Sequence, residues 1–365
     1  MLGLTAGFVT SCGDAPATST HLGAAVAVTR PGLVLTAPAE RAAELARLPP
    51  ALRDAWCPGS RASTALRVVS RVQSLPDGPD TSAEPFALAV MEDAGATVAG
   101  DRDAETRVTR LLDRWARQKA LRPSGPPDAN RNYALDRVLL PTIVAVGLLD
   151  GDAGLDAAQR NRILGWLGEL VESRPRPANA VVTRHNNHHY LRGSVDAAWG
   201  ALVGDQSHLA SGLAAYRDAI DDLRPDGSLP LETRRGDKAL WYQRHAIASL
   251  VVIAEIAANQ GIDLYGYRAN DRDLHTAIRF LLDAIDDPQL VRPYAGTSTQ
   301  DLGFLEHRGH DRTYMAWVEI YAVRFPHRPE SARLLTLLER VDPDFRPMVD
   351  DYSGGNTTCL FAPEP

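Results

Sequence analysis

Residues 190–223 read YLRGSVDAAWGALVGDQSHLASGLAAYRDAIDDL. Positions 190–203 and 209–223 form a pair of helices joined by a short connection. The same pattern continues outward. Arg224-Pro225-Asp226-Gly227-Ser228 is a strong turn signal, and helices are expected over 242–258, 274–285, 314–323 and 331–338. Upstream, Asp156 is placed to N-cap a helix through Ile163, Trp166, Leu167 and Leu170, which Arg174-Pro175-Arg176-Pro177 ends. Residues 132–149 are apolar nearly all round and predict a buried helix, with Pro141 a kink or split inside it. Val108, Leu111, Leu112, Trp115 and Ala116 recur at helical spacing. Residues 21–100 show only short alternating runs among frequent Pro and Gly, and take no firm assignment. No βαβ alternation and no Gly-rich phosphate loop occurs. Antiparallel helix pairs in series without a sequence repeat predict an all-α chain, a closed α/α barrel or helical toroid. The expected division is a signal and tether over 1–20, an irregular, lid-bearing segment over 21–100, the barrel over 101–345 and a tail over 346–365.

Length and composition bound the function. The chain has 365 residues, 44% of them hydrophobic and 23% charged, which suits a globular protein of one large helical domain or two domains. A formal net charge of -7 argues against a general nucleic-acid binder. It leaves an anionic substrate open, because a polyanion is read by the local field of a cleft.

Two polar stretches interrupt the helical pattern. The first is Arg184-His185-Asn186-Asn187-His188-His189-Tyr190. The second runs from Leu229-Pro230-Leu231-Glu232 through Arg234-Arg235 to Trp241-Tyr242. Together they supply an amide, an imidazole, a guanidinium and a phenol. Those groups suit proton removal beside a carboxylate followed by loss of an oxygen two atoms away, as in β-elimination of a 1,4-linked uronate. Asn187 and Arg235 can neutralise a carboxylate, and His188 and Tyr242 can move protons. A phenol with a reference pKa of ~10 needs a nearby cation to act as a base. Arg235 precedes Tyr242 by seven residues, about two turns if the helix is continuous, which would put both on one face. Each stretch alone also reads as scaffold. Asn186 and Asn187 fit helix caps, His185, His188 and His189 fit surface positions, and Arg234 and Arg235 fit a solvated face. His185 with His188 or His189 has metal-chelating spacing, but no third ligand is at hand. Glu232 would suit a glycoside hydrolase only with a partner carboxylate, and none is identifiable.

Asn186-Asn187-His188-His189-Tyr190 and the segment Leu229 to Tyr242, taken together and in this order, resemble the alginate lyase superfamily of α/α-barrel enzymes. The helix from Ala246 to Glu255 and the run Thr313 to Glu319 carry the resemblance further. It implies a periplasmic polysaccharide lyase acting on mannuronan, glucuronan or a related acidic polymer, with no metal or organic cofactor, and working as a monomer. It implies that Asn187 and Arg235 neutralise the carboxylate, that Tyr242 protonates the leaving oxygen, and that His188 assists or serves as base for the epimeric uronate. Asn186, Tyr190, Arg184, Arg234, Trp56 and Trp317 are candidate substrate contacts. Two positions depart from the family pattern: Leu191 stands where Trp is usual, and Trp56-Cys57-Pro58-Gly59-Ser60 replaces a Lys-Tyr lid segment. A non-catalytic polysaccharide binder or export protein with this fold is the alternative from another class.

Cys12, Cys57 and Cys359 are the cysteines. Val9-Thr10-Ser11-Cys12 follows a short apolar run and precedes a polar stretch, a pattern resembling a bacterial lipoprotein signal, although no basic residue precedes the run. With Cys12 lipidated, Cys57 and Cys359 form an even pair for an oxidising compartment. The expected location is the periplasm or the outer-membrane surface. Expressed in a bacterial host with its full upstream reading frame, the protein should incorporate radiolabelled fatty acid. Labelling should vanish in Cys12→Ala, and persistence there would contradict the anchor.

Overall fold

The computed structural model describes residues 26–61, 66–76, 78–126, 128–149, 154–174, 185–306 and 312–364. Its helices, in chain order, are α1 (Pro38–Leu45), α2 (Pro50–Trp56), α3 (Glu84–Val98), α4 (Arg102–Arg117), α5 (Ala129–Leu148), α6 (Ala157–Ser173), α7 (Asn187–Val203), α8 (Gln206–Asp222), α9 (Pro230–Thr233), α10 (Ala239–Asn259), α11 (Leu274–Asp286), α12 (Arg292–Ala295), α13 (Trp317–Arg324), α14 (Pro329–Val341) and α15 (Thr357–Phe361). Strands are confined to three two-residue pairs among the described residues: Arg71–Val72 with Arg122–Pro123, Ser74–Leu75 with Gly78–Pro79, and Val349–Asp350 with Gly355–Asn356.

The helices form two concentric rings. In the inner ring α3 packs on α5, α5 on α7, α7 on α10 and α10 on α13. The outer helices α4, α8, α11 and α14 each pack on the inner helix they follow, and α6 fills the gap beside α4 and α5. Composition dictates the sorting. α5 and α10 are buried along almost their whole length, as an all-round apolar sequence requires. α4 and α14 bury one stripe and leave charged residues outside. The ring closes through the C-terminal segment, where α15 packs against both α13 and α3. Cys57 and Cys359 form a disulfide with Cα atoms 5.0 Å apart, tying the end of α2 to α15. This is the α/α barrel expected from sequence.

Local sequence sets the helix ends. Asp156 and Gln159 form a capping box on α6, Asp273 and Thr276 one on α11, and the Asn186 side chain caps α7 through the His188 N–H. Two expectations change. α5 continues through Pro141 without splitting, because packing on all sides holds the helix past the one hydrogen bond that proline removes. The segment around 21–100, unassigned by periodicity, contains α1, α2 and all of α3. α3 is small-residue rich and buried on most faces, so it shows no amphipathic stripe to find.

The hairpin of α7 and α8 depends on close backbone approach. Gly204 turns the chain at φ 80°, and Asp205 caps α8. A Cβ at Gly212 would lie 2.5 Å from the Gly193 carbonyl oxygen and 2.6 Å from the Ala197 Cβ. Glycine to alanine in a helix ordinarily stabilises by ~1 kcal/mol. Gly212→Ala should instead lower the melting temperature, costing about 1–3 kcal/mol from overpacking. Gly165→Ala, where a Cβ meets nothing within 4 Å, should raise it. Denaturation melts of the two variants check the opposite signs.

Candidate active site

The inner helices all begin at the same end of the barrel, and the polar side chains cluster there. Glu84 opens α3, Tyr133 and Arg137 lie in the first turns of α5, Asn187 and His188 open α7, Tyr242, Arg244 and His245 lie in the first turns of α10, and Arg312 and Tyr314 precede α13. Asp350, Asp351 and Tyr352 come from the C-terminal segment. Five helix N-termini turned to one face give a positive field, since their first N–H groups lack intrahelical partners.

The two sequence stretches meet here. The Asn187 backbone N–H donates to Glu232 Oε1 at 2.6 Å, which fixes the start of α7 against α9. The Asn187 carboxamide approaches His245 Nδ1, with Nδ2 3.4 Å away. The His188 ring stacks on Tyr133 with centroids 4.1 Å apart. Burial, and then the charge of Arg235, push the His188 pKa down to about 4, so its imidazole is neutral, with a free ring nitrogen, at ordinary pH. Arg235 lies before α10, not on it: it caps the short 3-10 turn Gly236–Lys238. The continuous helix expected between Arg235 and Tyr242 is therefore absent. A fold of the chain brings them together instead, with the guanidinium 4.3 Å from the Tyr242 ring centroid.

Behind these groups lies a buried network that the sequence reading missed. The Tyr133 hydroxyl is hydrogen-bonded to that of Tyr352, and Tyr352 stacks on His245 at 4.5 Å. Arg137 donates to Asp351 at 2.8 Å and to Glu84, and Arg312 donates to Asp351 at 2.7 Å. Burial alone would raise the Asp351 carboxyl, but Arg137 and Arg312 pull it down to about 2. Arg244 is fully buried, donates to the Tyr314 carbonyl at 2.9 Å and lies within 6.0 Å of the Trp241, Phe304, Tyr314 and Tyr352 rings. One signal for part of this network was legible: Arg137 and Arg244 sit in helices that are largely apolar, and a buried cation demands partners. Nothing in the tail sequence pointed to Asp351 or Tyr352.

The remaining sequence candidates separate. Asn186 is buried and spends its side chain as the α7 cap. Tyr190 has no exposed surface, and its hydroxyl donates to the His185 carbonyl. Trp317 is also fully buried, and Trp56 is buried beside the disulfide under Arg346. Burial leaves none of these three rings a face for a sugar, contrary to their expected role as substrate contacts. Arg234 is exposed at the rim, and Arg184 lies outside the described residues. His185 lies 2.6 Å from Asp222 and His189 3.0 Å from Asp218, while His188 stacks on Tyr133. The three imidazoles thus take separate partners. Glu232 is fully buried beneath α7, out of reach of a glycosidic bond.

Inner helices that gather their N-termini, four arginines and two proton-transfer candidates at one end of a barrel define a site suited to reading an anion. The comparisons narrow it. A family model described as alginate lyase matches residues 83–291, and the chain belongs to that family. It is 33% identical over 183 residues to a polysaccharide lyase of Stenotrophomonas maltophilia, covering 50% of this chain and 52% of that protein. It is 25% identical over 206 residues to an alginate lyase of Azotobacter vinelandii, covering 56% and 52%. The chain thus spans about half the length of the curated relatives it matches. Alginate lyase A1-III from Sphingomonas species A1 superposes with a TM-score of 0.73 at 26% identity, covering 93% of this chain and 98% of that one. A histidine-to-alanine variant of A1-III complexed with tetrasaccharide gives 0.77 at 25% identity, with the same coverage.

Burial raises the Glu232 carboxyl to about 7, against the opposing pull of Arg235 and the Asn187 N–H. Its folded pKa lies above its ordinary 4.5. This group's contribution is therefore fully favourable below that ordinary value and is lost as pH rises through about 7, by on the order of 3 kcal/mol. Glu232→Gln keeps an acceptor for the Asn187 N–H and carries no charge. Its stability should fall less than that of the parent between pH 5 and 8 in denaturant titrations. Parallel pH profiles would contradict the assignment.

Proposed function

We propose that the protein is a polysaccharide lyase that cleaves a 1,4-linked polyuronate, alginate or a related acidic polymer, by β-elimination. The observation that carries the reading is the meeting of Asn187, His188, Arg235 and Tyr242, from two separated stretches, at one end of the barrel. Its relatives' names point the same way, and the A1-III variant bound to tetrasaccharide shows that a barrel of this shape receives an oligosaccharide.

In this reading the uronate carboxylate lies against Arg235 and the Asn187 amide. Neutralising that charge lets the carboxyl group accept electron density when the C5–H bond breaks. The base takes the C5 proton, the electron pair forms the C4–C5 double bond, and the C4–O bond breaks as Tyr242 donates its proton to the departing oxygen. His188, held neutral, serves as base where the C5 proton lies on its side. Tyr242 takes the proton itself where proton and leaving group share a face. The helix N-termini favour the anionic chain along the whole cleft. The lipoprotein pattern at Cys12, which lies outside the described residues, supports as part of the same proposal an activity outside the cytoplasm.

Tyr242→Phe keeps the ring under Arg235 and removes the hydroxyl alone. Turnover, read as the rate of unsaturated-end formation, should fall about 10²–10⁴-fold, with substrate affinity little changed. Arg235→Ala should weaken both affinity and turnover. A Tyr242→Phe enzyme with parental turnover would remove the proton-donor role.

A further inference from the structure

The Asn187 carboxamide is nearly inaccessible, with the residue 1% exposed, and His245 Nδ1 is the side-chain group within hydrogen-bond distance of it among the described residues. Its Oδ1 has no partner there. A primary amide held at one end can present the other to a ligand, but it is useful to a carboxylate only if an N–H faces outward. What holds Asn187 therefore decides what it offers.

His245 is built to hold one orientation. It lies in the first two turns of α10, beside Tyr242, whose ring it meets edge-on at 5.7 Å. Its ring plane is fixed by the stack on Tyr352 at 4.5 Å. Tyr352 is fixed in turn by its hydroxyl contact with Tyr133 and by the C-terminal segment that the disulfide fastens to α2. Burial, then the charges of Arg244, Arg137 and Arg312, hold the imidazole pKa well below its ordinary value. A neutral imidazole keeps one bare ring nitrogen that accepts a hydrogen bond.

We propose that His245 is a positioning residue for Asn187: its bare Nδ1 accepts one proton of the Asn187 amide, and this leaves the second amide N–H aimed at the substrate carboxylate. The proposal rests on the lyase reading above and adds to it a residue that touches neither the reacting carbon nor the leaving oxygen. His245 acts only through Asn187, so its effect exists only while Asn187 is present.

The test is a double-mutant cycle on the full chain, with unsaturated-end formation on mannuronan as the readout and thermal melts to establish folding. His245→Phe keeps a ring on Tyr352 and deletes Nδ1. It should lower kcat/KM by about 10²-fold, the scale of one lost electrostatic donor. In an Asn187→Ala background the same change should cost less than about 3-fold, because the groups are coupled. His245→Asn places an amide oxygen near the former Nδ1 and should recover most of the loss. Equal costs of His245→Phe with and without Asn187, or no recovery in His245→Asn with a native melt, would overturn the positioning role while leaving the lyase reading intact. A parent protein inert toward mannuronan and every other polyuronate would overturn the lyase reading first, and the positioning role with it.

Discussion

The hydrogen bond from the Asn187 N–H to Glu232 Oε1, 2.6 Å long and fully buried, is the contact on which the site depends. It joins two stretches 45 residues apart. On one side it fixes the first turn of α7, and with it Asn187 and His188. On the other it fixes the turn after α9, from which Arg235 reaches back to Tyr242. A buried carboxyl is costly unless paired, and here it is retained at the one point where the two stretches must register. Arg235 nearby offsets part of that cost.

The second constraint is topological. Helices in the inner ring run the same way because an outer helix returns the chain between them. Their N-termini must therefore collect at one end, and a barrel of this kind has one electropositive mouth by construction. The sequence places its arginines and its aromatic rings at that end. The C-terminal segment then closes the ring between α13 and α3 and delivers Tyr352 beneath the same mouth. Closure of the fold and support of the site are one structural event, and the Cys57–Cys359 disulfide secures both.

Much of this is legible in the sequence. The α7–α8 pair, the buried α5, the helix α10 and the capping role of Asp156 follow from spacing and helix chemistry alone. The gathering of Asn187, His188, Arg235 and Tyr242 was expected from the pair of motifs and the family they resemble, not from periodicity. The inferred Arg235–Tyr242 helix failed because Gly236, at φ 60°, breaks the run; the residues meet across a turn. Trp56, Tyr190 and Trp317 were read as sugar contacts by residue type, but large apolar rings gain more by entering the core, where all three lie. Tyr133, His245 and Tyr352 went unseen for a different reason. They form a chain of contacts from three distant parts of the sequence, Tyr133 bonded to Tyr352 through their hydroxyls and Tyr352 stacked on His245, and no local pattern encodes such a chain.

The chemistry assigned to the barrel mouth is tested most directly by product analysis. The protein would be incubated with mannuronan, glucuronan and neutral controls, with reducing ends and the ultraviolet absorbance of unsaturated ends followed together. β-Elimination predicts that both signals rise in equal numbers on at least one polyuronate and on no neutral polymer. Reducing ends without absorbance would mean hydrolysis, and binding without either signal would mean a carbohydrate-binding protein; each result would contradict the lyase.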